Sequence, residues 1–128
     1  RLLDGHGNLM PLNPTILDFA GAEPAPGPQP TTLKPQLSGE ADRGNDFALV
    51  EHDLDTHGLR LRTMVTDHWR ITHYAGESYG ELYDLDSDPN EFENLWDREV
   101  ETRKKLRLQV LDLVAQNQSW TPPKISHA

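Results

Sequence analysis

The sequence predicts an α+β fold: a four-stranded antiparallel sheet packed against one long C-terminal helix, preceded by a short helix and a proline-rich connection. Three observations predict it. Apolar and polar residues alternate with a period of two through residues 47–85, with turn residues between the runs. A single apolar stripe at helical spacing, Leu106, Val110, Leu113 and Val114, runs through the last third of the chain. Five of the ten prolines fall in residues 22–46, and every second residue from Pro24 to Pro30 is proline. Neither a helix nor a strand ladder tolerates that spacing.

Each element has its own local reasons. The segment Asn13-Pro14-Thr15-Ile16-Leu17-Asp18-Phe19-Ala20-Gly21 reads as a short helix. Asn13 is the expected cap, Pro14 suits the first helical position, and Gly21 closes it. Ile16, Leu17 and Ala20 form its expected apolar face. Residues 22–46 read as an extended surface connection, so a boundary is expected between residues 1–46 and 47–128. The first strand is Phe47 to Asp53, followed by the turn residues Asp55-Thr56-His57-Gly58. Leu59, Leu61, Thr63 and Val65 then alternate with Arg60, Arg62 and Met64. Thr66-Asp67 is the expected hairpin turn. Trp69, Ile71 and His73 alternate with His68, Arg70, Thr72 and Tyr74, and the Gly76–Gly80 loop leads into Glu81 to Leu85. Asp88 is expected to cap a helical turn begun by Pro89. Asp97 is expected to cap the long helix, which runs to about Gln116 and stops before Pro122 and Pro123. Glu99 and Glu101 lie near its positive end. The stripe needs a partner, and the sheet face carrying Leu59, Leu61 and Trp69 is the expected one.

Composition narrows the function classes. The 128 residues carry 21 acidic and 12 basic side chains, a net charge of -9. A nucleic-acid partner is not expected, because displacing phosphate counterions takes a basic surface. With no cysteine, disulfides, thiolate metal sites and a cysteine nucleophile are excluded from these residues. No run of about 18 apolar residues exists, so no membrane partner is expected. No cationic, apolar leader opens the chain. It begins at Arg1, as an excised or processed piece would.

Few residues carry chemistry. Asp84, Asp86, Asp88, Glu91 and Glu93 crowd one segment. A calcium loop would need a central glycine where Pro89 stands, so the segment reads as a solvated turn with a cap. None of the six histidines forms the pair at i, i+4 that places two imidazoles on one helix face. His68 and His73 are an odd number of residues apart, so they point to opposite faces of their strand. His52 and His57 flank a turn. Asp4-Gly5-His6-Gly7 reads as a flexible N-terminal turn. Arg60, Arg62 and Arg70 would make an anion subsite if they stood together. Cross-strand pairing with Glu81 or Asp84 is the expected alternative. No catalytic or metal residue is assigned.

Four segments in order resemble the C-terminal part of a sulfatase of the alkaline phosphatase superfamily. Gly80-Glu81-Leu82-Tyr83-Asp84-Leu85-Asp86-Ser87-Asp88-Pro89-Asn90-Glu91-Phe92-Glu93-Asn94-Leu95 is similar to the family's "GELYDL…DPxExxNL" signature. Pro14 to Gly21 is similar to "PTxLDLAG", and Thr32 to Glu40 to "SLxPLLxGE". Leu61-Arg62-Thr63, Asp67-His68-Trp69-Arg70-Ile71 and Tyr74 resemble "RMVRTDRYKLIxY". The stretch before Pro14 departs from the family, which has an aspartate there.

The resemblance implies a small domain of this α+β architecture following a large α/β catalytic domain. Residues 1–46 would be the end of that catalytic domain and the crossing. It also implies a parent enzyme that hydrolyses sulfate esters with a formylglycine and a calcium ion. The "C/S-x-P-S/A-x-R" motif that supplies the formylglycine matches no position here. The chain alone is therefore expected to be inactive, and its main partner is the missing N-terminal catalytic domain. A homodimer through the exposed docking face is a further expectation. His52, His57 and the loop Gly76, Glu77, Ser78 and Tyr79 are the residues expected to edge the substrate cleft, because loops carry such contacts. The alternatives are a phosphonate or phosphate monoester hydrolase of the same superfamily, or a stand-alone protein-interaction module. The parent's compartment, periplasm or cytoplasm, is left open.

Overall fold

The computed structural model describes residues 10–23, 31–41, 44–54 and 58–118. Three helices and four strands follow one another: α1 (Leu12–Ala20), α2 (Lys34–Ser38), β1 (Phe47–Leu54), β2 (Leu59–Thr66), β3 (Trp69–Tyr74), β4 (Gly80–Asp84) and α3 (Val100–Gln118). The strands form one sheet in the order β1-β2-β3-β4, every neighbouring pair antiparallel. The α+β architecture is therefore the expected one. The proline run 24–30 and the turn residues 55–57 lie outside the described residues.

Register builds the core. Leu49, Met64, Ile71 and Leu82 are successive cross-strand partners, one row across all four strands. Such partners share a face. Ile71 and Leu82 are both 0% exposed. Helix α3 lies over β2 and β3 and presses Leu106 and Val110 onto this row, with Leu113 and Val114 at its margin. The helical stripe is thus the one the spacing predicts. The sheet face it meets is not. The covered face holds Met64, Ile71 and Leu82, and by parity Arg60 and Arg62. Leu59 and Leu61 share the opposite face, so they do not sit with Trp69.

Other local expectations shift. Pro11, not Asn13, occupies the cap position of α1, and the buried residues of that helix are Pro14 and Thr15 while Ile16 is exposed. The Thr15 hydroxyl explains this. It donates to the Pro11 carbonyl at 2.6 Å and accepts from the Leu33 amide at 2.9 Å, tying α1 to the start of α2. Lys34 Nζ adds a 2.8 Å ion pair with Asp18. The connection is therefore not extended throughout: α2 forms where Pro35 sits in a first helical turn and Gly39 closes it at φ 85°. The β2–β3 turn is centred on Asp67-His68 rather than Thr66-Asp67. The Thr66 hydroxyl accepts from the amides of His68 and Trp69 and so holds that turn from its first corner. Helix α3 begins at Val100, two residues later than a cap at Asp97 would place it. The Asp97 carboxylate instead approaches Arg103 at 3.6 Å.

The acidic signature folds as a brace for the edge of the sheet. Asp84 Oδ1 accepts from the amides of Asp86 and Ser87, which turns the chain out of β4. Asp88 accepts from the Glu93 amide at 2.8 Å and closes the next loop. Backbone amides, Glu93 and Phe92 first, hold its carboxyl below the usual range. Pro89 and Asn90 form a single turn closed by the Glu91 amide on the Asp88 carbonyl at 3.0 Å, and it does not continue as a helix because Glu91 takes a left-handed conformation (φ 58°). The chain then returns along β4. Leu95 donates to the Leu82 carbonyl at 2.7 Å, and the Asn94 side chain bonds the Leu82 amide and the Gly80 carbonyl. This satisfies an edge that would otherwise present free backbone groups. Trp96 follows, 3% exposed, with its ring against Gly80 and its Nε1 on the Ser78 carbonyl.

Candidate functional site

Two surfaces of the sheet unit are candidates for a site. The first lies between the outer part of α3 and the β2–β3 strands. Arg60 and Arg62 come from β2, His73 from β3, and Lys104 and Arg107 from α3. They surround a cleft of about 650 Å³ with Ala75, Leu108, Val110, Leu111 and Val114. Arg62 and His73 are cross-strand partners, which fixes their spacing. Arg62 holds Asp53 at 2.7 Å and Glu51 at 3.8 Å. The hydrogen bond raises the Arg62 pKa and lowers that of Asp53. Burial pushes the His73 imidazole below its ordinary pKa, and the Arg107 charge adds to this. Its Nδ1 is buried and meets no hydrogen-bond partner among the described residues.

The three arginines therefore do not stand together. Arg60 and Arg62 face α3, whereas Arg70 is on the other side of the sheet. There Arg70 reaches Glu81 at 3.1 Å and Glu91 at 3.0 Å and stacks over Tyr83. Pairing with Glu81 is the cross-strand alternative that the spacing allowed. Sequence reasoning missed His73, Lys104 and Arg107 as companions of Arg60 and Arg62. No local signal marks them, since the helix approaches the strands only in the tertiary fold.

A protonation consequence follows for His73. Its neutral form is favoured by the fold, so between its lowered native pKa and about 6.5 the unfolded chain binds more protons. Stability therefore falls as pH drops through that window. Urea midpoints measured at about pH 7.5 and about pH 5.5 should differ more for the unsubstituted chain than for His73→Gln. An equal difference would remove His73 as the cause.

The second surface is the face turned away from α3. Register aligns His52, Leu61 and Tyr74 in one row across β1, β2 and β3. Tyr79 stacks on Tyr74 with ring centroids 4.9 Å apart. The Tyr74 hydroxyl donates to Glu81 at 3.1 Å. Burial, then this bond, raises the Tyr74 pKa. Gly76 opens the β3–β4 loop at φ 86°, and the Glu77 amide closes it on the Tyr74 carbonyl. Glu77 and Ser78 are exposed there. Antiparallel order puts this loop and the β1–β2 connection at the same end of the sheet. His52, exposed on β1, thus shares a face and an end with Tyr79. His57 lies outside the described residues. His68 is at the opposite end, exposed, with Asp86 at 2.8 Å.

The cation implied for a sulfate-ester hydrolase finds no ligand set among the described residues. Among the described residues no three His, Asp or Glu side chains gather where a cation could be held. The acidic segment spends its carboxylates on backbone amides and Arg70.

A profile of the family described as N-sulphoglucosamine sulphohydrolase, C-terminal, matches residues 8–117. The chain belongs to that sulfatase family. This sulfatase C-terminal part is 29% identical to an N-acetylglucosamine-6-O-sulfatase of Bacteroides thetaiotaomicron, over 77% of this chain and 19% of that protein. Its fold superposes on a 2-O GAG sulfatase with a TM-score of 0.67, at 26% identity, covering 83% of this chain and 24% of the other. A further structure, solved in complex with its substrate D-glucosamine-2-N,6-O-disulfate, gives a TM-score of 0.62 and 27% identity over 82% of this chain and 22% of its own. The sulfatase part thus spans about a fifth of the curated relative's length. No described helix is long and apolar enough to cross a membrane.

Proposed function

We propose that this chain is the C-terminal domain of a sulfuric ester hydrolase acting on sulfated amino sugars. It buttresses the catalytic part, edges its substrate cleft, and is inactive alone. One observation carries the reading. On β2 the more apolar side, Leu59, Leu61 and Val65, faces away from α3 and is only half-buried, while Arg60 and Arg62 share the helix side. A strand that is apolar on its outer side is built to be covered on both sides. The relatives are about three and a half to four and a half times longer, and the family's description as C-terminal supports an N-terminal part as the cover. We place the boundary at residues 46/47. In support, α1 and α2 touch each other, whereas α3 packs on β2 and β3. A chain freed from its catalytic part would self-associate through the bare face.

His52 and Tyr79 form the cleft edge in this reading, with Gly76, Glu77 and Ser78 shaping the loop. The substrate class comes from the relatives, which are named for sulfated glucosamine and GAG chemistry. Those names also favour a sulfate over a phosphate or phosphonate ester. The parent would draw its calcium and formylglycine from the catalytic part.

The test has two arms. Purified 128-residue chain, supplied with calcium and an aryl sulfate, should show no turnover. In the parent enzyme, His52→Ala with Tyr79→Ala should raise KM for a sulfated glucosamine several-fold and leave kcat nearly unchanged, as loss of uniform binding does. Turnover by the isolated chain overturns the inactive-domain reading. An unchanged KM removes these two residues from the cleft edge.

A further inference from the structure

We propose that the cleft between α3 and the β2–β3 strands binds the sulfate group of a sulfated amino sugar. The first ground is charge. The chain carries 21 acidic side chains and a net charge of -9, yet no acidic residue is among those lining this cleft. Four cationic side chains, Arg60, Arg62, Lys104 and Arg107, do line it, together with His73. Arg62 is engaged by Asp53 and Glu51, and Lys104 by Glu101 at 2.7 Å. Arg60 and Arg107 make no direct ion pair among the described residues, and both are exposed. Asp53, the register partner of Arg60, feels its charge without bonding it, and Arg107 lies over the Trp96 ring. They enter from opposite walls, one from the sheet and one from the helix.

The second ground is the chemistry of the walls. A guanidinium meets a tetrahedral oxyanion with two parallel N–H donors, so two guanidinium groups facing one cleft suit a sulfate. Val110 and Val114 supply an apolar floor, and the exposed Leu111 and Ala75 an apolar rim. That floor lowers the local dielectric and strengthens the charge interaction, and it offers a surface for the C–H face of a sugar ring. His73 completes the set. Its buried Nδ1 has no hydrogen-bond partner among the described residues, and an anion in the cleft would offer one. The choice of sugar rests on the sulfatase reading above; the anion chemistry does not.

The experiment is an NMR titration of the 128-residue chain at low salt with three probes: D-glucosamine-2-N,6-O-disulfate, inorganic sulfate, and unsulfated glucosamine. The disulfated sugar should give saturable shifts clustered on His73, Ala75 and Arg107, and should raise the His73 pKa. Inorganic sulfate should move the same resonances with weaker affinity, and glucosamine should move none. Arg60→Ala with Arg107→Ala should weaken binding of the sugar about tenfold or more, the scale of lost charge-assisted hydrogen bonds. Lys105→Ala, an exposed cation of α3 outside the cleft, should leave it unchanged. Both arginines are exposed, so a circular dichroism spectrum like that of the unsubstituted chain is expected for the double variant. Scattered or non-saturable shifts, or full affinity in the double variant, would overturn the site. Inorganic sulfate binding as tightly as the sugar would overturn the sugar assignment. These readouts need no turnover, so their failure is distinct from failure of the hydrolase reading.

Discussion

Gly80→Ala is expected to destabilise the domain by about 3 kcal/mol, the upper range for overpacking a dense core. A Cβ on Gly80 would stand 2.3 Å from ring carbons of Trp96. The ring has little room to withdraw. It is 3% exposed, its Nε1 is tied to the Ser78 carbonyl, and Arg103 and Arg107 lie over its face. Its backbone amide is tied to the Asn94 side chain, which also braces β4. Pushing the ring out would therefore loosen the edge of the sheet along with the core. Removing the ring should relieve the clash. Gly80→Ala combined with Trp96→Leu should be much less destabilised than the sum of the two single changes, because the two sites are in contact. Urea midpoints of the four proteins would show this. Additive effects would mean that the ring gives way and that the contact is not decisive.

The second large effect separates the two faces of the sheet. Ile71→Ala should cost about 3 kcal/mol, as removal of a buried aliphatic side chain does. Ile71 is 0% exposed and packs between Met64 and Leu82 beneath α3. Leu61→Ala in the same chain should cost less than about 1 kcal/mol, because its side is only half-buried. In the parent enzyme the ranking should narrow: Leu61→Ala should then cost stability as well, since the proposed catalytic part would cover it. Denaturant titrations of both variants, in the chain and in the parent, make the comparison. A large loss for Leu61→Ala in the isolated chain would contradict packing of α3 on the opposite face.

Much of the fold was legible because short-range physics sets it. Alternation located all four strands to within a residue or two, since a pleated strand exposes successive side chains to opposite sides. The stripe Leu106, Val110, Leu113 and Val114 pointed to α3 and to the side it buries. Gly21 closed α1 in the left-handed conformation that glycine permits. The family was legible too, through four short segments in order. The profile covering residues 8–117 agrees with that resemblance.

Other features escaped because they depend on contacts distant in sequence. The cap of α1 yielded to a hydroxyl that also binds Leu33. The turn after Pro89 stops after one hydrogen bond and passes into a loop whose Glu93 amide Asp88 holds and whose Glu91 answers Arg70. The basic cleft combines β2, β3 and α3, elements that no local pattern links.

The sequence by itself determined the class of fold, the strand periods, the helical stripe, the acidic net charge and the family. Only the tertiary structure decided which side of the sheet the helix covers. A period of two states that a strand has two sides and is silent on which partner takes each. On β2 both sides carry apolar atoms, so packing of α3 against Met64 and Ile71 made the choice and left Leu61 facing outward. That same choice gathered Arg60, Arg62, His73, Lys104 and Arg107 around one cleft, because side chains from separate elements meet only when the elements dock.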